Sequence, residues 1–145
     1  MQRNSVGRTP ASYWLVALIS LPWHALGVYD FIMTNARDPE YLAYFPPELI
    51  DYLDAMPVWA LAAWAFTVWG ALAGSLLLLV RSRFAVQAFF LSLICLGLST
   101  MYEGASQLPP AMRTPAWMAF TLVIWMGAIG FATFAFFYRK VGVLR

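Results

Sequence analysis

The sequence predicts an all-α membrane protein, built as an antiparallel bundle of four transmembrane helices. Of its 145 residues, 62% are hydrophobic and only 11% are charged, whereas soluble domains carry roughly 25% charged residues. The apolar residues fall in four long blocks, and the charged residues lie near the ends of those blocks or beyond them. We therefore expect one integral membrane domain over residues 1–145, without a separate catalytic domain outside the membrane.

The first predicted span covers about residues 12–33 and follows a basic start that contains Arg3 and Arg8. A basic start before an apolar run is also typical of a signal peptide. This run, however, is longer than the usual apolar region of about 7–15 residues, and no clear small-residue cleavage site follows it. We expect a retained first span, bent at Pro22, because proline cannot donate its backbone hydrogen bond inside a helix.

The connection over residues 34–56 forms the first outer loop and is long for a structureless link. Pro46 and Pro47 predict a helix start, and apolar residues at helical spacing then alternate with acidic ones. We expect a short amphipathic helix that lies on the outer membrane surface or caps the bundle. This helix could serve only as a lid that covers the outer ends of the other helices. The alternatives are a gate, or a docking surface formed by Glu48, Asp51 and Asp54.

Three further spans are predicted over about residues 57–80, 84–103 and 115–138. Each is close to the roughly 20 residues that cross about 30 Å of hydrocarbon. Pro57 is a favourable helix start, as is the pair Thr114 and Pro115. All four spans should be helical, because lipid leaves unpaired backbone groups without partners.

Charge predicts the orientation of the bundle. Seven of the nine basic residues fall on one side of the spans, namely Arg3, Arg8, Arg81, Arg83, Arg139, Lys140 and Arg145. The other side holds two basic and all seven acidic residues, for a formal charge of −5: Arg37, Arg113, Asp30, Asp38, Glu40, Glu48, Asp51, Asp54 and Glu103. The positive-inside rule makes the first side cytoplasmic, with both termini there.

Small and polar residues at helical spacing predict the faces that turn inward, since helix association in lipid depends on close packing and polar contacts. The first three spans carry Ala17, Ser20, His24 and Gly27; Ala60, Ala63, Thr67, Gly70 and Gly74; and Ala85, Ala88, Ser92, Cys95 and Ser99. Thr121, Ala128, Ala132 and Ala135 are the candidates on the fourth. We assign helix packing to Gly27, Gly70 and Gly74. The bulky runs 76–80, 89–90 and 134–137 should largely face lipid or a partner.

The candidate site is a polar chamber at the outer ends of the first and third spans. It would be lined by the single histidine and five further side chains: His24, Tyr29, Asp30, Ser99, Tyr102 and Glu103. Ionisable residues within a span indicate function by default, here a solute or proton site open to the outside. The alternative is a neutral imidazole that is hydrogen-bonded to a facing serine or backbone carbonyl, with both carboxylates at the water boundary.

The sequence gives little indication of a disulfide, a metal or haem site, a catalytic site or nucleic-acid binding. One cysteine permits no intrachain disulfide, and one histidine permits no bis-histidine haem. We expect no catalytic residues, no metal site and no nucleic-acid binding, since no zinc ligand set, phosphate-binding glycine loop or extended basic region is present. His24 remains a candidate single ligand for a haem or for the magnesium of a pigment.

Several motifs together resemble a group of small four-span bacterial inner-membrane proteins of uncharacterised function, sometimes labelled sugar transporters. They are WxxxGxYD (Trp23, Gly27, Tyr29 and Asp30), YFPPELIDYLDAMPVWA, WGALAGSLLLLVRSRFAV and the final RKVGVLR, and the likeness covers nearly the whole chain. The resemblance implies the four-span fold and a location in the bacterial inner membrane. That group more often carries asparagine in place of His24 and glutamine in place of Glu103, which implies no general protonating role at either position.

Three functional hypotheses follow, in order of preference. The first is a non-enzymatic accessory or assembly subunit of a larger inner-membrane complex, whose partners are other membrane subunits and the lipid bilayer. The second is a carrier of a small, sugar-like solute that acts as a homo-oligomer, because four spans alone make too small a pathway. The third and weakest is a membrane-embedded enzyme or cofactor carrier built on His24 and the two carboxylates, Asp30 and Glu103.

Overall fold

The computed structural model describes residues 9–145, and all regular secondary structure in that range is helical. In chain order the helices are α1 (Ala11–Asn35), α2 (Pro39–Leu42), α3 (Pro47–Asp54), α4 (Val58–Leu79), α5 (Phe84–Ala105) and α6 (Pro115–Lys140), with a 3-10 turn at Pro110–Arg113. Within this range, four helices are long and apolar enough to cross a membrane, α1, α4, α5 and α6. Their ends fall within two residues of the predicted spans. The basic start with Arg3 and Arg8 lies outside the described residues.

The four long helices pack as a ring. Helix α4 packs between α1 and α5, and α5 packs on α6. Aromatic contacts close the ring between α1 and α6: the Tyr13 ring stacks on Phe134 at 5.7 Å, and the ring of His24 lies 4.8 Å from that of Phe131. The helices therefore enclose a shared interior. Helix α1 continues unbroken through Pro22.

The inward faces are those that the small and polar residues predict. None of the positions in the four predicted sets is exposed, and many are buried: Ala17, Ser20, His24, Ala60, Ala63, Gly74, Ala85, Ser92, Cys95, Ala132 and Ala135. Small side chains at these positions let the helix backbones approach closely. The resulting van der Waals contacts between helices stabilise their association in lipid.

The prediction that the bulky runs largely face outward is wrong at two positions. Leu78 and Phe89 are only 0% and 3% exposed and belong to the core. Phe89 faces Gly74, which leaves room for its ring. Bulky side chains are needed inside because a ring of four helices with small residues on every inner face would leave voids. Most other members of these runs are exposed or half-buried, as predicted.

The connection between α1 and α4 contains the predicted amphipathic helix, α3. Leu49 is buried and Tyr52 half-buried, whereas the acidic residues Glu48, Asp51 and Asp54 are exposed. The Tyr52 hydroxyl lies 3.0 Å from the Ser106 hydroxyl, just beyond α5. Arg37, which has a positive φ of 57°, forms an ion pair with Asp54. These contacts hold α3 over one end of the bundle, the end that carries the acidic residues.

Candidate functional site

The single histidine lies deep in the bundle and is hydrogen-bonded to a serine of α4. His24 is 9% exposed, and its Nδ1 lies 2.8 Å from the Oγ of Ser75, which is fully buried. The same Oγ lies 3.1 Å from the carbonyl oxygen of Ala71 and 3.3 Å from that of Ser20. This is the arrangement of the alternative hypothesis, in which the imidazole is satisfied by a facing serine.

The two carbonyls favour one tautomer of the imidazole. Carbonyl oxygens only accept hydrogen bonds, and the Ser75 hydroxyl has a single proton to donate. When Ser75 donates to the carbonyl of Ala71 or Ser20, its oxygen accepts the proton on Nδ1 of His24. In this neutral tautomer, Nε2 is the nitrogen of the ring that can accept a hydrogen bond.

A cavity of about 90 Å³ adjoins His24. Its walls include Trp23, Gly27, Phe89 and Ser92. Pockets for small molecules and cofactors usually measure roughly 300–1,000 Å³, whereas a water molecule takes about 30 Å³ of liquid. The cavity therefore fits a few water molecules and is too small for a sugar or for a macrocycle.

The polar groups near this cavity are mostly satisfied within the bundle. Ser92 donates to the carbonyl oxygen of Thr67 at 2.6 Å, and the Thr67 hydroxyl donates to the carbonyl oxygen of Ala63 at 2.9 Å. The ring of His24 also lies 5.7 Å from that of Phe89. The hydroxyl protons of Ser92 and Thr67 are therefore used inside the bundle.

Asp30 and Tyr29 form a second group, which is joined to α2. The hydroxyl of Tyr41 donates to a carboxylate oxygen of Asp30 at 2.5 Å, and the rings of Tyr41 and Tyr29 lie 5.8 Å apart, edge to face. Burial raises the pKa of Tyr41, and its hydrogen bond to the Asp30 carboxylate raises it further. Asp30 thus holds the loop against the end of α1.

Tyr102, Glu103 and Ser99 form a third group, on α5. The Tyr102 ring lies 5.5 Å from Trp59 and 5.9 Å from Tyr52, and Glu103 is half-buried. Burial raises the pKa of Tyr52. The hydroxyl of Ser99 is buried, and within the described residues it has no hydrogen-bond partner. Its interior position leaves one polar atom that a bound water could satisfy.

The predicted chamber therefore contains three groups of side chains, and no hydrogen bond among residues 9–145 joins one group to another. Sequence reasoning missed Ser75 and Tyr41, the partners that organise the first two groups. Ser75 could have been found from its spacing, because Thr67, Ala71 and Ser75 recur every four residues on one face of α4. Tyr41 gave no comparable signal, since its contact depends on how the loop folds back.

The remaining predicted residues occupy two kinds of position. On α3, Asp54 of the acidic set pairs with Arg37, and Glu48 and Asp51 are exposed. The glycines lie at helix contacts: a Cβ would meet Val68 at 3.5 Å from Gly27, Ala88 and Ser92 at 3.4 Å from Gly70, and Phe89 at 2.9 Å from Gly74.

The acidic, histidine and cysteine side chains are dispersed. Within the described residues, no three of them are grouped so as to hold a metal ion. Comparisons of the chain with protein-family models, with curated proteins and with solved structures gave no match.

Proposed function

We propose that the protein is a non-enzymatic accessory or assembly subunit of a larger complex in the bacterial inner membrane. In this proposal the four long helices cross the membrane antiparallel to one another, with both termini cytoplasmic. One observation carries the proposal: α6 is the least covered of the four helices. In the apolar 18-residue stretch of α6, only 11% of the residues are buried, against 22–28% in the corresponding stretches of the other three helices.

The uncovered face of α6 has the features of a helix-docking surface. Its exposed positions recur at alternating spacings of three and four residues: Val123, Met126, Gly130, Thr133 and Phe137. A Cβ at Gly130 would meet nothing within 4 Å, and the Thr133 hydroxyl is satisfied by carbonyls of its own helix at 2.8 and 2.9 Å. A small residue between bulky ones lets a second helix approach closely, which is how helices associate in lipid.

The contact pattern supports the antiparallel arrangement. Later residues of α1 contact earlier residues of α4, as expected for antiparallel helices. Tyr13 donates a hydrogen bond to the carbonyl oxygen of Leu78, His24 is hydrogen-bonded to Ser75, and Gly27 lies against Val68. The link between α4 and α5 is basic, and the connection with α3 is acidic, which supports cytoplasmic termini through the positive-inside rule.

Two variants with the same added side chain test the docking surface. The tagged protein would be purified from its native membrane in mild detergent, as wild type, Gly130→Leu and Gly104→Leu. Gly104 is exposed on α5, and a Cβ added there would also meet nothing within 4 Å, so it controls for the added bulk. We expect other membrane proteins to co-purify stoichiometrically with the wild type and with Gly104→Leu, and to be lost from Gly130→Leu. A monodisperse wild-type monomer would contradict the proposal.

A small-solute carrier that acts as a homo-oligomer is the second candidate, favoured by the buried polar side chains of His24, Ser75 and Ser92. The 90 Å³ cavity is too small for a sugar, so a pathway would have to form between copies. Co-expression of two differently tagged copies, followed by pull-down, would reveal self-association. Solute uptake into proteoliposomes that His24→Ala abolishes would favour the carrier over the accessory subunit.

A further inference from the structure

Residues 141–145 fold back from α6 onto the link between α4 and α5. Gly142 has a positive φ of 77°, which reverses the chain after the helix. The backbone N–H of Arg145 then donates to the carbonyl oxygen of Arg81 at 2.9 Å, and the N–H of Arg83 donates to the carbonyl oxygen of Arg145 at 2.9 Å. Arg145 is thereby held between Arg81 and Arg83 by backbone contacts on both sides.

A buried leucine anchors the fold-back. Leu144 is 4% exposed and belongs to the same core as Tyr13, Leu78 and Val86. Arg81 adds a third contact between the segments, because its Nε donates to the carbonyl oxygen of Val143 at 3.3 Å. The position of Arg145 therefore depends on packing in the core and on backbone hydrogen bonds.

This end of the bundle gathers basic side chains, and none of those among residues 9–145 forms an ion pair within 4 Å. Five basic residues lie here: Arg81, Arg83, Arg139, Lys140 and Arg145. Among residues 9–145 one ion pair within 4 Å is found, Arg37 with Asp54, and it lies at the opposite end. Helix α5 also begins here and adds the positive end of its dipole. The cluster lies at the ends of apolar helices, which is the depth of lipid headgroups when the helices span a membrane.

Exposed apolar side chains adjoin these cations. Val80 is 72% exposed and Phe84 is 55% exposed, immediately before and after the link that carries Arg81 and Arg83. The guanidinium of Arg83 lies 5.4 Å from the centre of the Phe84 ring. A ligand that fits both features needs an anionic group next to acyl chains, which a phospholipid has and a free phosphate lacks.

We propose that Arg81, Arg83 and Arg145 form a binding site for the headgroup phosphates of an anionic phospholipid. The planar guanidinium groups bind phosphate oxygens in bidentate fashion, and the adjacent apolar side chains contact the acyl chains. A lipid with two phosphates, such as cardiolipin, offers more anionic groups to these three arginines than a lipid with one. The site belongs to the isolated subunit and does not depend on a protein partner.

Native mass spectrometry of the purified full chain tests this proposal. The protein would be titrated in detergent with cardiolipin, phosphatidylglycerol or phosphatidylcholine. We expect the affinity to fall in that order, and Arg145→Gln to weaken cardiolipin binding about fivefold, as expected for one cation near a membrane surface. Arg113→Gln removes one cation at the opposite end and is the matched control, with unchanged binding.

A second variant separates the placement of charge from its amount. Leu144→Ala keeps every charge but removes the anchor of the fold-back, so it should weaken cardiolipin binding to a similar degree. If Leu144→Ala folds poorly, Arg145→Gln still tests the site, because it leaves the core intact. Equal affinity for phosphatidylcholine, equal effects of Arg145→Gln and Arg113→Gln, or inorganic phosphate bound as tightly as lipid would overturn the proposal. Full cardiolipin affinity in a folded Leu144→Ala protein would overturn the role of the fold-back.

Discussion

Replacing Gly74 by alanine should destabilise the bundle through a single contact. A Cβ at this position would lie 2.9 Å from three atoms of the Phe89 ring, whereas ordinary contacts begin at 3.4 Å. The ring or the helix must therefore move by about 0.5 Å. Phe89 is 3% exposed, and its ring is bounded by His24 at 5.7 Å and Phe131 at 6.0 Å between ring centres.

The cost of this movement follows from overpacking. Extra methyl or methylene groups in well-packed cores usually destabilise by about 1–3 kcal/mol. At about 1.4 kcal/mol per factor of ten, the unfolding equilibrium should shift by about five- to 150-fold. Reversible unfolding of the protein in mixed micelles, with increasing denaturing detergent, would measure this change.

Two controls make the test specific to the contact between Gly74 and Phe89. Gly97→Ala also exchanges a helical glycine for alanine, but the nearest atom, on Trp125, would be 4.0 Å away. Phe89→Leu, alone and combined with Gly74→Ala, completes a double-mutant cycle, in which the smaller side chain should relieve part of the cost. The reasoning is refuted if Gly74→Ala and Gly97→Ala differ by less than about 0.5 kcal/mol, or if the cycle shows no coupling.

Three further predictions concern polar contacts. The ¹⁵N NMR spectrum of labelled histidine, which contains only His24, should show the neutral Nδ1–H tautomer, and Ser75→Ala should alter the tautomer ratio; an unaltered ratio would contradict the assigned hydrogen bond. The pKa of the Tyr41 hydroxyl is raised in the folded protein above the ordinary tyrosine value of 10. The hydroxyl therefore contributes its full stabilisation below pH 10 and loses it as the pH rises towards the folded-state pKa. Tyr41→Phe should remove that alkaline loss and cost about 1.5–3 kcal/mol at neutral pH, because Asp30 loses a donor; denaturant unfolding at several pH values measures both. Arg37→Gln should change stability by less than about 1 kcal/mol, since its ion pair is 42% and 58% exposed, and a larger loss in the same assay would contradict this.

The sequence by itself determined the helices and their inward faces. The bounds of α1, α4, α5 and α6 follow from the length of each apolar block and from starts such as Pro57 and Thr114, which are local properties. Ala63, Ala85 and Ala132 are buried as their small size predicts, because only small residues allow helices to approach closely in lipid.

Only the tertiary structure decided which side chains meet. The partnership of His24 with Ser75, the burial of Phe89 and the fold-back of Leu144 all join residues that are distant in the chain. Small and polar residues show which face of each helix turns inward, but the apolar residues on either side of that face do not show which bulky side chain fills a given space. That choice is made by packing: Gly74 provides the space that Phe89 fills, and Ser75, the next residue on α4, lies within hydrogen-bond distance of the His24 imidazole.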